Sequence, residues 1–133
     1  PAGKTGAQTG GADAGANLDL RSAAGRGSYS LQIGFYDGPD RKQAAVQAAR
    51  GLREEGYDAY YFHGPHRSHV TVGVFGQEAV TVSSGRPNYQ PKVEALRRQF
   101  PYNLANGRTL RERRGDGQVT EQPSFLVRIP GSQ

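Results

Sequence analysis

Residues 29–75 read YSLQIGFYDGPDRKQAAVQAARGLREEGYDAYYFHGPHRSHVTVGVF. Apolar and polar side chains alternate over 29–36 and again over 68–75, which is typical of strands that bury one face. The aromatic run at 57–63 predicts another strand, because aromatic residues are enriched in sheets. Gly64-Pro65-His66-Arg67 predicts a turn, so the strands at 57–63 and 68–75 are expected to form a hairpin.

Between the first two strands, a stripe of small and apolar side chains has helical spacing. Its members at i, i+3, i+4 and i+7 are Ala45, Ala48, Ala49 and Leu52. Asp40 is a good N-cap before this stripe, and Gly56 is expected to end the helix in a left-handed conformation. The small alanines allow such a helix to lie close to a sheet.

The second half of the chain contains one more helix pattern and one more strand pattern. The helix is predicted by the apolar spacing of Tyr89, Val93, Leu96 and Phe100. Pro91 is compatible with this helix because it falls in the first turn. SFLVRI at 124–129 predicts the last strand, and the segments near 81–88 and 105–123 are interpreted as inserts.

The order strand, helix, strand, strand, helix, strand predicts an α+β domain. This is the split βαβ (ferredoxin-like, βαββαβ) arrangement, a four-stranded antiparallel sheet with two helices on one face. The domain is expected to span 29–131. Residues 1–28 are rich in Gly, Ala and Ser and are interpreted as a flexible linker or tail.

Composition excludes several kinds of site. The chain has 133 residues, enough for one domain, and has no cysteine, which excludes disulfides, thiolate metal sites and a cysteine nucleophile. No apolar run approaches the roughly 18 residues of a membrane-spanning helix. The chain begins at Pro1 without an initiator Met or a signal peptide, so we expect it to be a segment of a longer precursor.

The sheet face away from the helices is the predicted binding surface. If Leu31, Ile33, Val70 and Val72 face the helices, the outward-facing set includes Gln32, Tyr36, His69, Thr71 and Arg128. Such a mixed polar and aromatic face could take an extended ligand. Gln32 offers a donor and an acceptor, Tyr36 offers a flat ring, and Arg67 and Arg128 suit carbonyl or carboxyl oxygens.

The same segments resemble the SPOR domain, the sporulation-related repeat of bacterial envelope proteins. Residues 31–36 (LQIGFY) are similar to its first-strand Val-Gln-x-Gly-Ser-Phe pattern. Leu52, Gly56, Tyr57 and Ala59 match its Leu-x-x-x-Gly-Tyr-x-Ala turn, and residues 69–75 (HVTVGVF) are similar to its Arg-Val-x-Val-Gly-Pro-Phe strand. The resemblance covers residues 29–76, and 89–131 weakly.

The resemblance implies a split βαβ fold that binds peptidoglycan, typically glycan strands stripped of their stem peptides. It also implies a periplasmic or exported location in the bacterial cell envelope, and a role connected with cell division. Carried over to this chain, Gln32 and Phe35 on the first strand and Arg67 and His69 at the third would contact the glycan. Phe35 stands where the family has a small residue, and His69 stands where it has an arginine.

The predicted ligand-binding set is therefore Gln32, Phe35, Tyr36, Arg67, His69, Thr71 and Arg128. The domain is expected to be non-enzymatic, with no catalytic residue, no metal and no cofactor. His63, His66 and His69 have a spacing that could gather imidazoles around a metal, but they are interpreted as turn histidines.

Two other functions are left open. The chain carries 17 basic and 12 acidic residues, and the cluster at 108–117 (RTLRERRGDG) suits nucleic acid bound with the help of the sheet. The exposed strand edges near residues 57–62 suit self-association or an envelope protein partner. A membrane would be reached only through segments outside this sequence.

Overall fold

The computed structural model describes residues 18–113 and 115–132. The described chain contains two α-helices, α1 (Arg41–Glu54) and α2 (Pro91–Gln99). Its strands are β1 (Tyr29–Tyr36), β2 (Ala59–His63), β3 (Ser68–Phe75), β4 (Val80–Ser83), β5 (Arg86–Tyr89), β6 (Leu104–Ala105), β7 (Arg108–Thr109), β8 (Arg111–Arg113), β9 (Val119–Glu121) and β10 (Phe125–Arg128). Short 3-10 turns lie at Leu20–Ala23 and Gln77–Ala79.

The main sheet is mixed and has six strands in the order β2-β3-β1-β6-β7, with β10 also beside β1. The predicted four-stranded antiparallel, ferredoxin-like sheet is therefore wrong. Its four strands are present, but β10 pairs only with the first half of β1, at Tyr29 to Gln32. This leaves the second half of the same edge free, and β6 pairs there in parallel with Gly34 and Phe35.

The helices α1 and α2 pack into one apolar cluster on one side of the sheet. Ala45 and Ala49 of α1 and Val93 of α2 are buried together with Leu31 and Val72 of the sheet. The alanine stripe predicted for α1 thus faces the sheet, and Gly56 adopts a positive φ of 101° just after this helix. Asp40 lies at the N-cap position of α1, although its side chain makes no capping hydrogen bond.

The other side of the sheet is partly covered by the segment before β1. Leu20 and Ala23, 2% and 0% exposed, form a second cluster with Tyr60 and Ile129. The backbone carbonyl of Leu18 accepts a hydrogen bond from the Tyr61 amide at 2.8 Å, along the edge of β2. The segment 18–28, predicted as part of a flexible linker, therefore packs against the sheet, and residues 1–17 of that predicted linker lie outside the described residues.

The segments interpreted as inserts form short β-hairpins. Strands β4 and β5 pair around Ser84 and Gly85, and β6 and β7 pair around Asn106 and Gly107. Both central residues of each turn have positive φ, 54° and 76° in the first and 51° and 84° in the second, as type I′ hairpin turns require. Their strands of two to four residues are too short and too polar to show an alternating pattern.

Two irregularities shape the pairing of β1 with β3. The register changes between Gln32 and Gly34, so Ile33 is an extra residue in β1. It changes again between Tyr29 and Leu31, where the extra residue lies in β3 next to Gly73. Gly34 leaves room for the close approach of β6, because a Cβ there would lie 3.2 Å from the Leu104 carbonyl oxygen.

We expect Gly73→Ala to destabilise the domain by about 2–3 kcal/mol. Gly73 has a φ of +84°, and an added Cβ would lie 2.8 Å from the Phe75 ring. Gly51→Ala in α1 is the matched control, because a Cβ there meets nothing within 4 Å. Helix propensity predicts that this control raises stability by about 0.5–1 kcal/mol. Urea unfolding of both variants measures the two free energies, and equal effects would contradict the role of Gly73.

Candidate functional site

Three rings lie in a row across β1, β3 and β2 on the sheet side opposite the helices. Phe35 pairs with His69 across β1 and β3, and Phe62 pairs with His69 across β2 and β3. The Phe62 and His69 ring centroids are 6.3 Å apart with nearly parallel planes, at 21°. The row spans two strand spacings, about 10 Å. We call Phe35, Phe62, Arg67 and His69 the ring patch.

A cation completes this patch. The Arg67 guanidinium carbon lies 4.2 Å from the centre of the Phe35 ring, a cation–π contact. Arg67 is exposed in the turn between β2 and β3, whereas the Phe35 ring below it is buried. The outer surface of the patch therefore combines a guanidinium with the partly exposed rings of His69 and Phe62.

Polar side chains occupy the adjacent row of the same sheet face. Gln32 of β1 pairs with Thr71 of β3, one row below the rings. Thr71 is fully buried, and its hydroxyl oxygen has no hydrogen-bond partner among the described residues. The same holds for the buried Nδ1 of His69. This sheet face thus carries buried polar atoms that have no hydrogen-bond partner among the described residues.

Gln32 begins a chain of three side-chain amides. Its Nε2 donates to Oδ1 of Asn103 at 3.3 Å, and Nδ2 of Asn103 donates to Oε1 of Gln122 at 2.7 Å. The Asn103 backbone amide also donates to the Gln122 carbonyl at 3.0 Å. Asn103 is only 2% exposed, so the chain links the patch to the segment between α2 and β10 through the protein interior.

The structure brings together five of the seven predicted ligand residues. Gln32, Phe35, Arg67, His69 and Thr71 share the sheet face described above. Only Arg67 and His69 are appreciably accessible there, because Gln32, Phe35 and Thr71 are 7%, 4% and 0% exposed.

Tyr36 and Arg128 lie on the helix side instead, so their predicted orientation is wrong. The extra residue at Ile33 shifts the alternation of β1, which turns Phe35 toward His69 and Tyr36 toward the helices. Arg128 pairs with Tyr29, and its guanidinium lies 5.6 Å from the centre of that ring, on the side of the helix-packed core.

Tyr36 lines an apolar groove on the helix side. The groove has a volume of about 300 Å³ and lies between α1 and the segment after α2. Ala48 and Leu52 form one wall, and Phe100 and Tyr102 form the other.

The histidines of the predicted turn do not converge. His63 lies on the helix side, where its Nδ1 is 2.8 Å from Ser68 Oγ, while His69 faces the opposite side. Across residues 18–113 and 115–132, no group of three His, Asp or Glu side chains could hold a metal ion. Of the arginine cluster, Arg108, Arg111 and Arg113 are exposed on β7 and β8, and Arg114 lies outside the described residues.

Phe62, Asn103 and Gln122 were missed by sequence reasoning. Phe62 could have been found from the hairpin, because its register with β3 places it opposite His69. Asn103 and Gln122 lie in segments without a repeating pattern, and only the tertiary fold brings them to Gln32.

Comparison with known proteins finds no matching family model, no matching curated protein and no matching solved structure. Within the described residues, neither helix has the length and apolar character needed to cross a membrane.

Lowering the pH from 7.5 to 5 is expected to destabilise the domain through His69 and His63. Burial lowers the pKa of His69, and the charges of Arg67 and Arg41 lower it further. Burial also lowers the pKa of His63, as does the charge of Lys42. Both folded pKa values lie below the ordinary value of 6.5, so the unfolded chain binds these protons more readily. The contribution of the two neutral histidines to the free energy of unfolding is complete at a pH above the ordinary pKa of 6.5. It is lost as the pH falls from that value toward the lower pKa of the folded state.

Urea unfolding at pH 7.5 and 5.0 measures this loss in the wild type and in His69→Gln and His63→Gln. Each variant should lose less stability than the wild type on acidification. His66→Gln, in the exposed turn, is the control substitution. An unchanged pH dependence in both test variants would contradict the assignment.

Proposed function

We propose that this domain is a non-catalytic binding module for the glycan strands of bacterial peptidoglycan, and that the ring patch with Gln32 is its binding surface. The observation that carries the proposal is the pair of partly exposed rings of His69 and Phe62, extended by the Arg67 guanidinium that lies over the buried Phe35 ring. Such a row can lie along an extended polymer rather than around a small compact ligand.

The chemistry of the patch suits a sugar chain. Sugar rings present apolar C–H faces that pack on flat side chains, and their hydroxyl and acetamido groups need donors and acceptors around them. Phe62 and His69 supply partly exposed ring surface, Arg67 supplies exposed donors, and Gln32, which is only 7% exposed, supplies a small accessible part of its amide. The resemblance of residues 29–76 to SPOR domains favours peptidoglycan among the possible glycans and an envelope location for the domain.

A nucleic acid bound by the arginine cluster would lie on a surface separate from the ring patch. The sheet order places β6 between β1 and β7, and β8 belongs to a two-stranded sheet with β9. Arg108, Arg111 and Arg113 therefore belong to strands that do not border the row of rings.

Binding to isolated sacculi, before and after an amidase removes the stem peptides, tests this function. The wild-type domain should co-sediment more with the stripped sacculi. The double variant Arg67→Ala and His69→Ala should lose roughly tenfold or more in affinity, because it removes two polar contacts and one ring. Arg128→Ala is the matched control, since it also removes an exposed arginine but from the opposite sheet side.

Equal failure of the wild type on both kinds of sacculi would remove the glycan proposal. Binding that falls steeply between 50 and 200 mM salt (roughly a thousandfold for six or more phosphate contacts) would indicate nucleic acid instead. A mass in solution that rises with concentration, without either ligand, would indicate self-association. Equal loss in Arg128→Ala and the double variant would place the binding surface elsewhere.

A further inference from the structure

We infer that Asn103 and Gln122 are positioning residues that turn the carbonyl oxygen of Gln32 toward the ligand as a hydrogen-bond acceptor. This inference rests on the proposed function, and it states that Gln32 offers the ligand a hydrogen-bond acceptor rather than a donor. The three amides form one continuous hydrogen-bonded chain from the β9–β10 connection to β1.

The chain has a direction. Asn103 donates from its nitrogen to Gln122, so the oxygen of Asn103 remains to accept from Gln32. Gln32 therefore uses an N–H inside the protein. Gln32 is 7% exposed, and its oxygen makes no hydrogen bond to any described residue. That oxygen is not among the fully buried polar atoms that lack a partner, so it keeps some accessible surface.

The opposite direction would present a different surface. If Gln122 donated to the Asn103 oxygen, the Asn103 nitrogen would have to donate to the Gln32 oxygen. The acceptor would then be occupied, and Gln32 would offer only N–H groups to a ligand. The side-chain amide of Gln122, which is only partly buried, thus decides which atom of Gln32 is available at the other end.

An available acceptor selects the chemistry of the ligand at this point. It pairs with a donor, such as a sugar hydroxyl or the N–H of an acetamido group. It does not pair with a phosphate or carboxylate oxygen, both of which are acceptors when ionised. Gln32 therefore favours the neutral, hydroxyl-bearing part of a glycan strand, and Arg67 remains the group for any anionic part.

Two substitutions at Gln122 separate the directions. Gln122→Glu only accepts, so it keeps the observed direction and should bind stripped sacculi within about twofold of the wild type. Gln122→Lys only donates, so it should reverse the chain and weaken binding by roughly three- to tenfold, the effect of one lost hydrogen bond. Gln118→Glu and Gln118→Lys make the same charge changes at an exposed position between β8 and β9 and serve as controls.

The direction of the effect distinguishes orientation from charge. Added positive charge would strengthen binding to an anionic polymer, whereas the reversed chain weakens it. The side-chain amide resonances of Gln32, identified by their loss in Gln32→Ala, give a readout that needs no glycan. They should match the wild type in Gln122→Glu and shift in Gln122→Lys.

Each outcome has a separate meaning. If the wild type binds sacculi and both Gln122 variants bind equally well, the orienting role is wrong while the proposed function stands. If the Gln32 resonances are the same in both variants, the amide chain does not set the orientation of Gln32. If the wild type binds no sacculi, the proposed function fails, and the positioning role toward a glycan fails with it.

Discussion

One extra residue in β1, Ile33, changes what every later residue of that strand contacts. Before it, Gln32 pairs with Thr71, and after it, Gly34 pairs with Val70. Side chains alternate strictly along a regular strand, so an insertion of one residue exchanges the two faces beyond it. Phe35 therefore meets His69, and Tyr36 meets the core on the helix side.

The same strand also divides its outer edge between two partners. β10 pairs with the first half of β1, and β6 pairs with the second half. The segment between α2 and β10 is therefore held against the sheet at both ends, which brings Asn103 within hydrogen-bonding distance of Gln32. Gly34 permits this close approach, because any Cβ at that position would press on the Leu104 carbonyl.

Only part of the candidate site could be predicted from alternation alone. Gln32, His69 and Thr71 were predicted on one face from the period of two in β1 and β3, and the structure places them there. Phe35 entered through the family resemblance, and Arg67 through the resemblance and its own chemistry; the two side chains are in contact on the same face. Tyr36 and Arg128 were predicted on the wrong face, since alternation carries no information about a bulge or about the register of a strand paired from far along the chain.

The sequence by itself determined the two helices, the long strands and the hairpin of β2 and β3, because each has a local repeating pattern and local capping or turn residues. It could not reveal the six-stranded mixed sheet, the packing of Leu18 and Leu20, or the contact between Gln32 and Asn103. Those features join residues far apart in the chain, and β6 and β7 have only two residues each. Two residues are too few to show a strand pattern in the sequence. The pairing of β6 and β7 depends instead on the edge of β1 that β10 leaves uncovered.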